Sequence, residues 1–234
     1  MTPTWLTILA LVWLALAFVS ALIVLADIRI GQRSMMAVMK WVWPITALYM
    51  GPLGFWAYWT MGRSSAPQVH DMHGGSGEEH AGHGRERPFW QSVFVSTTHC
   101  GAGCSLGDLI AEWAVFGLGV TLAGRSLWPE YIGDYTLAYL LGIAFQFFAI
   151  VPMRHLSVGT GIREAVKADT LSLTAFEVGL FGWMALMAFV FFHPALHPDS
   201  VVYWFMMQIG MIIGFATSYP MNWALVRRGV KEGM

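Results

Sequence analysis

From Trp5 to Ala26 the chain carries no charged residue, and residues 4–26 are long enough to cross ~30 Å of hydrocarbon as a helix. No small-residue cleavage site follows a short apolar core, so this run reads as a first span and not as a removable signal peptide. With 56% hydrophobic and 12% charged residues and a mean hydropathy of +0.57, the chain cannot wet the surface of a soluble globule. Further apolar stretches at 40–61, 104–124, 134–153, 171–192 and 201–226 give about six spans. The expected fold is an all-α, polytopic transmembrane bundle, a single membrane domain over residues 1–234 with the lipid bilayer as its main partner. The net charge of −1 gives no footprint for nucleic acid.

Two segments depart from simple spans. Pro44 and the Gly51-Pro52-x-Gly54 cluster interrupt the backbone ladder of 40–61 and predict a kinked helix. Residues 89–103 are too short to span beside 104–124, which leaves an interfacial helix, a re-entrant half-helix or an extension of a long tilted third span.

Residues 62–88 mix Gly, Ser, Pro and charges of both signs with no apolar period, so they read as a flexible loop. Half of the eight histidines lie there, as His70, His73, His80 and His83. Two His-x-x-His pairs, with Asp71, Met72, Glu78 and Glu79 among them, supply donors that a mobile chain can wrap around a transition metal. The plainer reading is a polar linker rich in histidine.

The basic residues do not settle orientation. With six spans and both termini inside, nine of the 13 fall on the cytoplasmic side, against Arg29, Arg33, Lys40 and Arg125 outside. Arg29 and Arg33 directly follow the first span and argue the reverse. The side of the His-rich loop stays open.

The strongest chemical signal is His99-Cys100-Gly-Ala-Gly-Cys104-Ser-Leu-Gly-Asp108-Leu-Ile-Ala-Glu112. In a helix, Cys100, Cys104, Asp108 and Glu112 form one stripe, and ionisable groups at membrane depth face an interior or a cavity. Thiols on successive turns lie ~6 Å apart at Cα, close enough to share a metal or form a strained disulfide. Thiolate and thioether donors suit copper, and a two-cysteine site completed by His or carboxylate suits zinc as the alternative. His99 sits about 100° round the helix and has to reach the pair. Two membrane cysteines that only pack are the competing reading.

Other helices carry polar faces that converge if the bundle permits: Tyr139, Gln146 and Met153; Thr170, Thr174 and Glu177; Met207, Met211, Ser218 and Asn222 beside Pro220. Taken singly, Gln146, Thr174 and Asn222 equally serve as interhelical hydrogen-bond glue, and the methionines as filler. Lys167 and Asp169 read either as an interfacial ion pair or as a membrane-edge marker. Gly210-x-x-x-Gly214, Gly117 and Gly119 signal close helix approach, either internal or in a homo-oligomer.

The string from His99 to Glu112, with Lys167-Ala-Asp-Thr-Leu-Ser-Leu173 and Thr217-Ser-Tyr-Pro-x-Asn222-Trp223, resembles a family of bacterial integral membrane proteins catalogued only as a domain of unknown function. The likeness is expected over most of the chain outside the His-rich loop. It implies the bacterial inner membrane and a His/Cys site within the bundle, and no reaction.

The leading expectation is transition-metal handling or transport, copper first, and not an enzyme. His70, His73, His80 and His83 would capture the ion. His99, Cys100, Cys104, Asp108 and Glu112 would bind it, and Gln146, Met153, Glu177, Met207, Met211 and Asn222 would line an intramembrane path. A membrane thiol- or metal-dependent oxidoreductase and a structural assembly subunit are the alternatives. No nucleotide or hydrolase fingerprint occurs, so movement would be passive or coupled to an ion gradient.

Overall fold

The computed structural model describes residues 2–32, 35–63, 88–154, 156–231 and 233, with side chains at all of these except 152–154. The expected all-α membrane architecture is observed. Helix α1 spans Thr4–Gly31, α2 Met39–Met50, α3 Pro52–Ala57 with a π-type turn Tyr58–Gly62, α4 Phe89–Leu118, α5 Leu127–Arg154, α6 Val158–Leu186 with a π-type turn Met187–Phe191, and α7 Val201–Arg227. Among the described residues, α1, α5, α6 and α7 are long and apolar enough to cross a membrane. The six-span reading therefore holds only in this coarser form. α4 has the length, about 45 Å for 30 residues, but its buried face is polar.

The second expected span is where the count changes. Residues 40–61 do not form one kinked helix; the chain reverses at Gly51. Gly51 has φ +60° and ψ −137°, a backbone state that costs any residue with a Cβ. Pro52 then opens α3 at the one position where its missing N–H does no harm. A Cβ on Gly54 would sit 2.5 Å from the Thr46 carbonyl oxygen, so only glycine lets the two arms touch. The rings of Trp43 and Tyr58 meet at 5.6 Å, and the Tyr58 hydroxyl donates to Asp27 Oδ2 at 2.6 Å. Arg63 closes the base of the hairpin on Asp27 Oδ1 at 3.2 Å. The re-entrant element is thus α2–α3 and not 89–103.

Residues 89–103 and 104–118 form the single helix α4, which ends where Gly119 takes a left-handed conformation at φ +62°. The glycines inside α4 do not make an irregular turn; they are contact points. A Cβ on Gly103 would lie 2.8 Å from Gly142 Cα, and one on Gly107 would overlap the backbone of Ala138. This brings α4 and α5 together, antiparallel, at backbone distance. Gly117 and Gly119 have nothing near them and carry no packing role. Gly210 and Gly214 pack inside the bundle, Gly214 against the Phe176 carbonyl and Gly210 against Leu180.

α5, α6 and α7 then alternate in direction, with Tyr139 on Thr170, Tyr135 on Thr174 and Thr217 on the Ala175 carbonyl. α5 starts before the expected residue 134 and α6 before 171, which moves Asp134 and Asp169 from expected loop edges into helices. Arg29, Lys40, Arg63, Arg163, Lys167, Arg227, Arg228 and Lys231 all lie toward one end of the bundle, and Arg125 toward the other. Arg63 and Pro88, the described residues that flank the His-rich segment, are at the basic end, where Phe89 packs on Trp223 at 4.7 Å.

Candidate functional site

The long antiparallel contact of α4 with α5, and its parallel contact with α6, bury one face of α4 completely. Cys100, Cys104, Asp108 and Glu112 are all at 0% exposure, as the four-residue spacing on a helix requires of a single inward face. From α6 the same core receives Asp169, Ser172 and Glu177, and from α5 Asp134 and Glu130. These groups lie in a column along the bundle axis.

At the basic end the column is closed by charge. Lys231, in the short segment after α7, folds back so that its Nζ donates to Asp169 Oδ1 at 2.8 Å and to Ser172 Oγ at 3.3 Å. Ser172 donates to Asp169 Oδ1 at 3.0 Å and reaches Cys100 Sγ at 3.4 Å. Ser218 ties α7 to the Ser172 carbonyl at 2.9 Å, and Asn222 Nδ2 donates to Ser218 Oγ at 2.9 Å. Burial opposes the Lys231 ammonium, but the touching Asp169 carboxylate outweighs it and holds the lysine above its usual range.

Above this cap the column is open in hydrogen-bonding terms. Cys104 neighbours Cys100 and Glu177, Asp108 neighbours Glu177 and Glu112, and Glu112 neighbours Asp134 and Tyr203. Yet among the described residues no donor meets hydrogen-bond geometry with either oxygen of Asp108, Glu112, Asp134 or Glu177. Glu130, and beyond it His197, continue the series to the far end.

The residues expected from the sequence are therefore not all brought together. His99 is buried and turns to α5, with its ring 6.1 Å from Phe145 and with Asp169, Lys231 and Gln146 around it, so it sits beside the basic-end cap and not with the cysteines. Both ring nitrogens lack a partner among the described residues. Gln146 thus belongs with His99 at the capped end of the column. Met207 and Met211 are buried against the cysteine side of the core, and Asn222 joins the basic-end cap. Tyr139, Thr170 and Thr174 are interhelical bonding pairs. Lys167 is exposed, and the partner of Asp169 is Lys231. His70, His73, His80 and His83, and the Met153 side chain, lie outside the described residues.

Among the described residues no three His, Cys, Asp or Glu side chains converge as a ligand set. His99, Cys100, Cys104, Asp108 and Glu112 are a line and not a cage. Both cysteines are free thiols. Asp134, Glu130 and Tyr203 join the column without having been expected there. Asp134 and Glu130 lie at i and i+4, a spacing on one helix face, which is the signal that could have found them.

Residues 89–231 match the family described as Domain of unknown function (DUF4396). The match begins with α4 and ends at Lys231, so it covers the column and its cap, and leaves α1–α3 outside. The match covers most of the chain outside the His-rich loop, as the resemblance implied. No curated protein and no solved structure matches the chain.

Proposed function

The chain belongs to the DUF4396 family over α4–α7, and from the chemistry of that region we propose that it moves a cation across the membrane in exchange for protons. One observation carries the reading: the carboxyl oxygens of Asp108, Glu112, Asp134 and Glu177 are buried and make no hydrogen bond among the described residues. A carboxylate removed from water without a hydrogen bond needs a proton or a cation. A run of such groups is suited to trading one for the other. A structural subunit would gain nothing from burying four of them.

The cargo we propose is a soft transition-metal ion, copper first and zinc second, written here as substrate. Cys100 and Cys104 supply adjacent thiols, with Glu177 and Asp108 as the nearest oxygen donors. Binding requires these side chains to converge from the line they now form. His99, on the α5 side of α4, is not in this set.

The positive-inside rule assigns the basic end to the cytoplasm, since Arg125 is the one described Lys or Arg at the other end. The His-rich segment, whose described flanks Arg63 and Pro88 are at that end, would then meet metal on the cytoplasmic side of the bacterial inner membrane that the resemblance implies. Export is the direction this arrangement favours.

Reconstitution tests it. Proteoliposomes would be loaded with a pH dye and assayed for uptake of Cu(I) or Zn(II). Metal movement with opposite proton movement is expected in the native protein, and its loss in Glu177→Gln and in Cys100→Ser/Cys104→Ser. Unchanged flux in both variants, with no metal on tag-free protein, would sink the proposal.

A further inference from the structure

Because the α2–α3 hairpin turns back at Gly51, no helix fills the space beyond its tip between α1, α4 and α7. A cavity of about 570 Å³ occupies it, with Phe18, Leu48, Leu109, Trp113, Trp204 and Met207 in its walls. The volume falls in the range of small-molecule sites. Phe18, Leu48 and Trp113 are also exposed on the outer face of the bundle, so the cavity opens sideways toward lipid and not toward water.

Of the polar side chains that line this apolar space, three are buried: Tyr49, Ser105 and Gln208, at 3%, 5% and 8% exposure. The Tyr49 hydroxyl, Ser105 Oγ and Gln208 Oε1 have no hydrogen-bond partner among the described residues. Gln208 is not free to swing, because its Nε2 donates to the Leu48 carbonyl at 2.7 Å. Leaving such groups unsatisfied is costly, and a ligand bearing matching groups recovers that cost.

Charge narrows the ligand. Among the described residues no Lys or Arg lines the cavity, and Asp199 is its one charged residue. A phosphate headgroup or a fatty carboxylate would meet repulsion and no counter-charge. A neutral head with oxygen acceptors and donors fits. Trp113 and Trp204 stack at 5.7 Å and 22°, giving one wall a flat aromatic face.

We propose that the cavity binds a lipid-soluble ring of the quinone–quinol class. Its carbonyls accept from Tyr49 and Ser105, a quinol hydroxyl donates to Gln208 Oε1, and its tail leaves past Phe18 into the bilayer. Ser105, Leu109 and Trp113 lie one position on from Cys104, Asp108 and Glu112, about 100° round α4, so the cavity meets a different face of α4 from the carboxyls, while Tyr49 and Met207 pack in the same core cluster as the thiols.

The full-length protein in detergent would be titrated with a short-tailed benzoquinone, following tryptophan quenching against micelles that hold free tryptophan. Saturable quenching is expected, displaced by the quinol and not by a long-chain fatty acid or a phospholipid. Leu109→Trp, which fills the space without touching the polar groups, and Gln208→Leu should each raise the dissociation constant about tenfold or more, a loss of about 1.4 kcal/mol. Ser105→Ala, which leaves the hairpin tip untouched, should weaken binding in the same direction. Leu109→Trp should keep the native thermal midpoint. Non-saturable quenching, native affinity in Leu109→Trp and Ser105→Ala, or equal displacement by fatty acid or phospholipid would overturn the proposal.

Discussion

Lys231 Nζ lies 2.8 Å from Asp169 Oδ1, and neither side chain has any exposed surface. The pair joins the segment after α7 to the middle of α6 and closes one end of the carboxyl–thiol column. A buried pair of this kind is worth little against apolar residues of equal volume, yet breaking it strands a charge. Its presence therefore points to a positioned element more than to a source of stability.

Removing one partner should be far worse than removing both. Lys231→Met should destabilise the protein by about 3–5 kcal/mol and Lys231→Met/Asp169→Leu by much less, measured as thermal midpoints in detergent. Equal loss in the two would show that the charges are not coupled. Because the folded lysine titrates above its usual value, the stabilisation is complete below the ordinary lysine pKa and is lost as pH rises through the raised one. The midpoint should hold from neutral pH up to the ordinary lysine range and decline only beyond it.

The hairpin makes a topological prediction. A continuous span over 40–61 would set Gly31 and Thr60 on opposite sides of the membrane; the turn at Gly51 sets them on the same side. Both positions are exposed, and the native cysteines are buried. Gly31→Cys and Thr60→Cys should therefore react with an impermeant maleimide from the same face, and labelling from opposite faces would contradict the fold.

Helix contact at Gly107 should be intolerant of one methyl group. Gly107→Ala forces a Cβ into the Ala138 backbone, and overpacking of this kind costs about 1–3 kcal/mol. Gly117→Ala, with nothing within 4 Å, should be neutral or slightly stabilising through helix propensity. Thermal unfolding of the two variants side by side reads the difference, and equal midpoints would place the α4–α5 contact elsewhere.

Separating His99 from the cysteines also has a consequence. His99→Gln should leave metal-linked flux within about a factor of two, whereas Cys104→Ser should abolish it, as expected if a soft ion relies on thiols and not on an imidazole that faces another helix. Flux lost equally in both would return His99 to the binding set.

Much of the fold is legible in the residues themselves. A charge-free run from Trp5 to Ala26 has one physical solution in a bilayer, and the four-residue spacing from Cys100 to Glu112 puts its polar groups on one inward face if the segment is helical. The candidate site is legible in its α4 half for the same reason, since helical period is a local property. Glu177 stands out because an acid within an apolar run is too costly to leave facing lipid, so it has to point into the bundle.

The rest depends on contacts remote in sequence. Pro44 and Pro52 are equal as helix breakers in the sequence. Pro44 stays inside α2, while the chain reverses at Gly51-Pro52 because Gly54 fits against Thr46 and Tyr58 reaches Asp27. Lys167 is the nearest cation to Asp169 along the chain, but it points outward, and Lys231 arrives from 62 residues away. Asp134 and Glu130 look like loop-edge acids until the helix α5 carries them inward. Hydrophobicity and helical period act within a segment, so the residues alone dictate which segments must leave water and which face of α4 is polar. That the hairpin turns back, that Lys231 caps the column and that His99 turns to Gln146 beside that cap and not to the cysteines are fixed by packing between helices, which no single segment encodes.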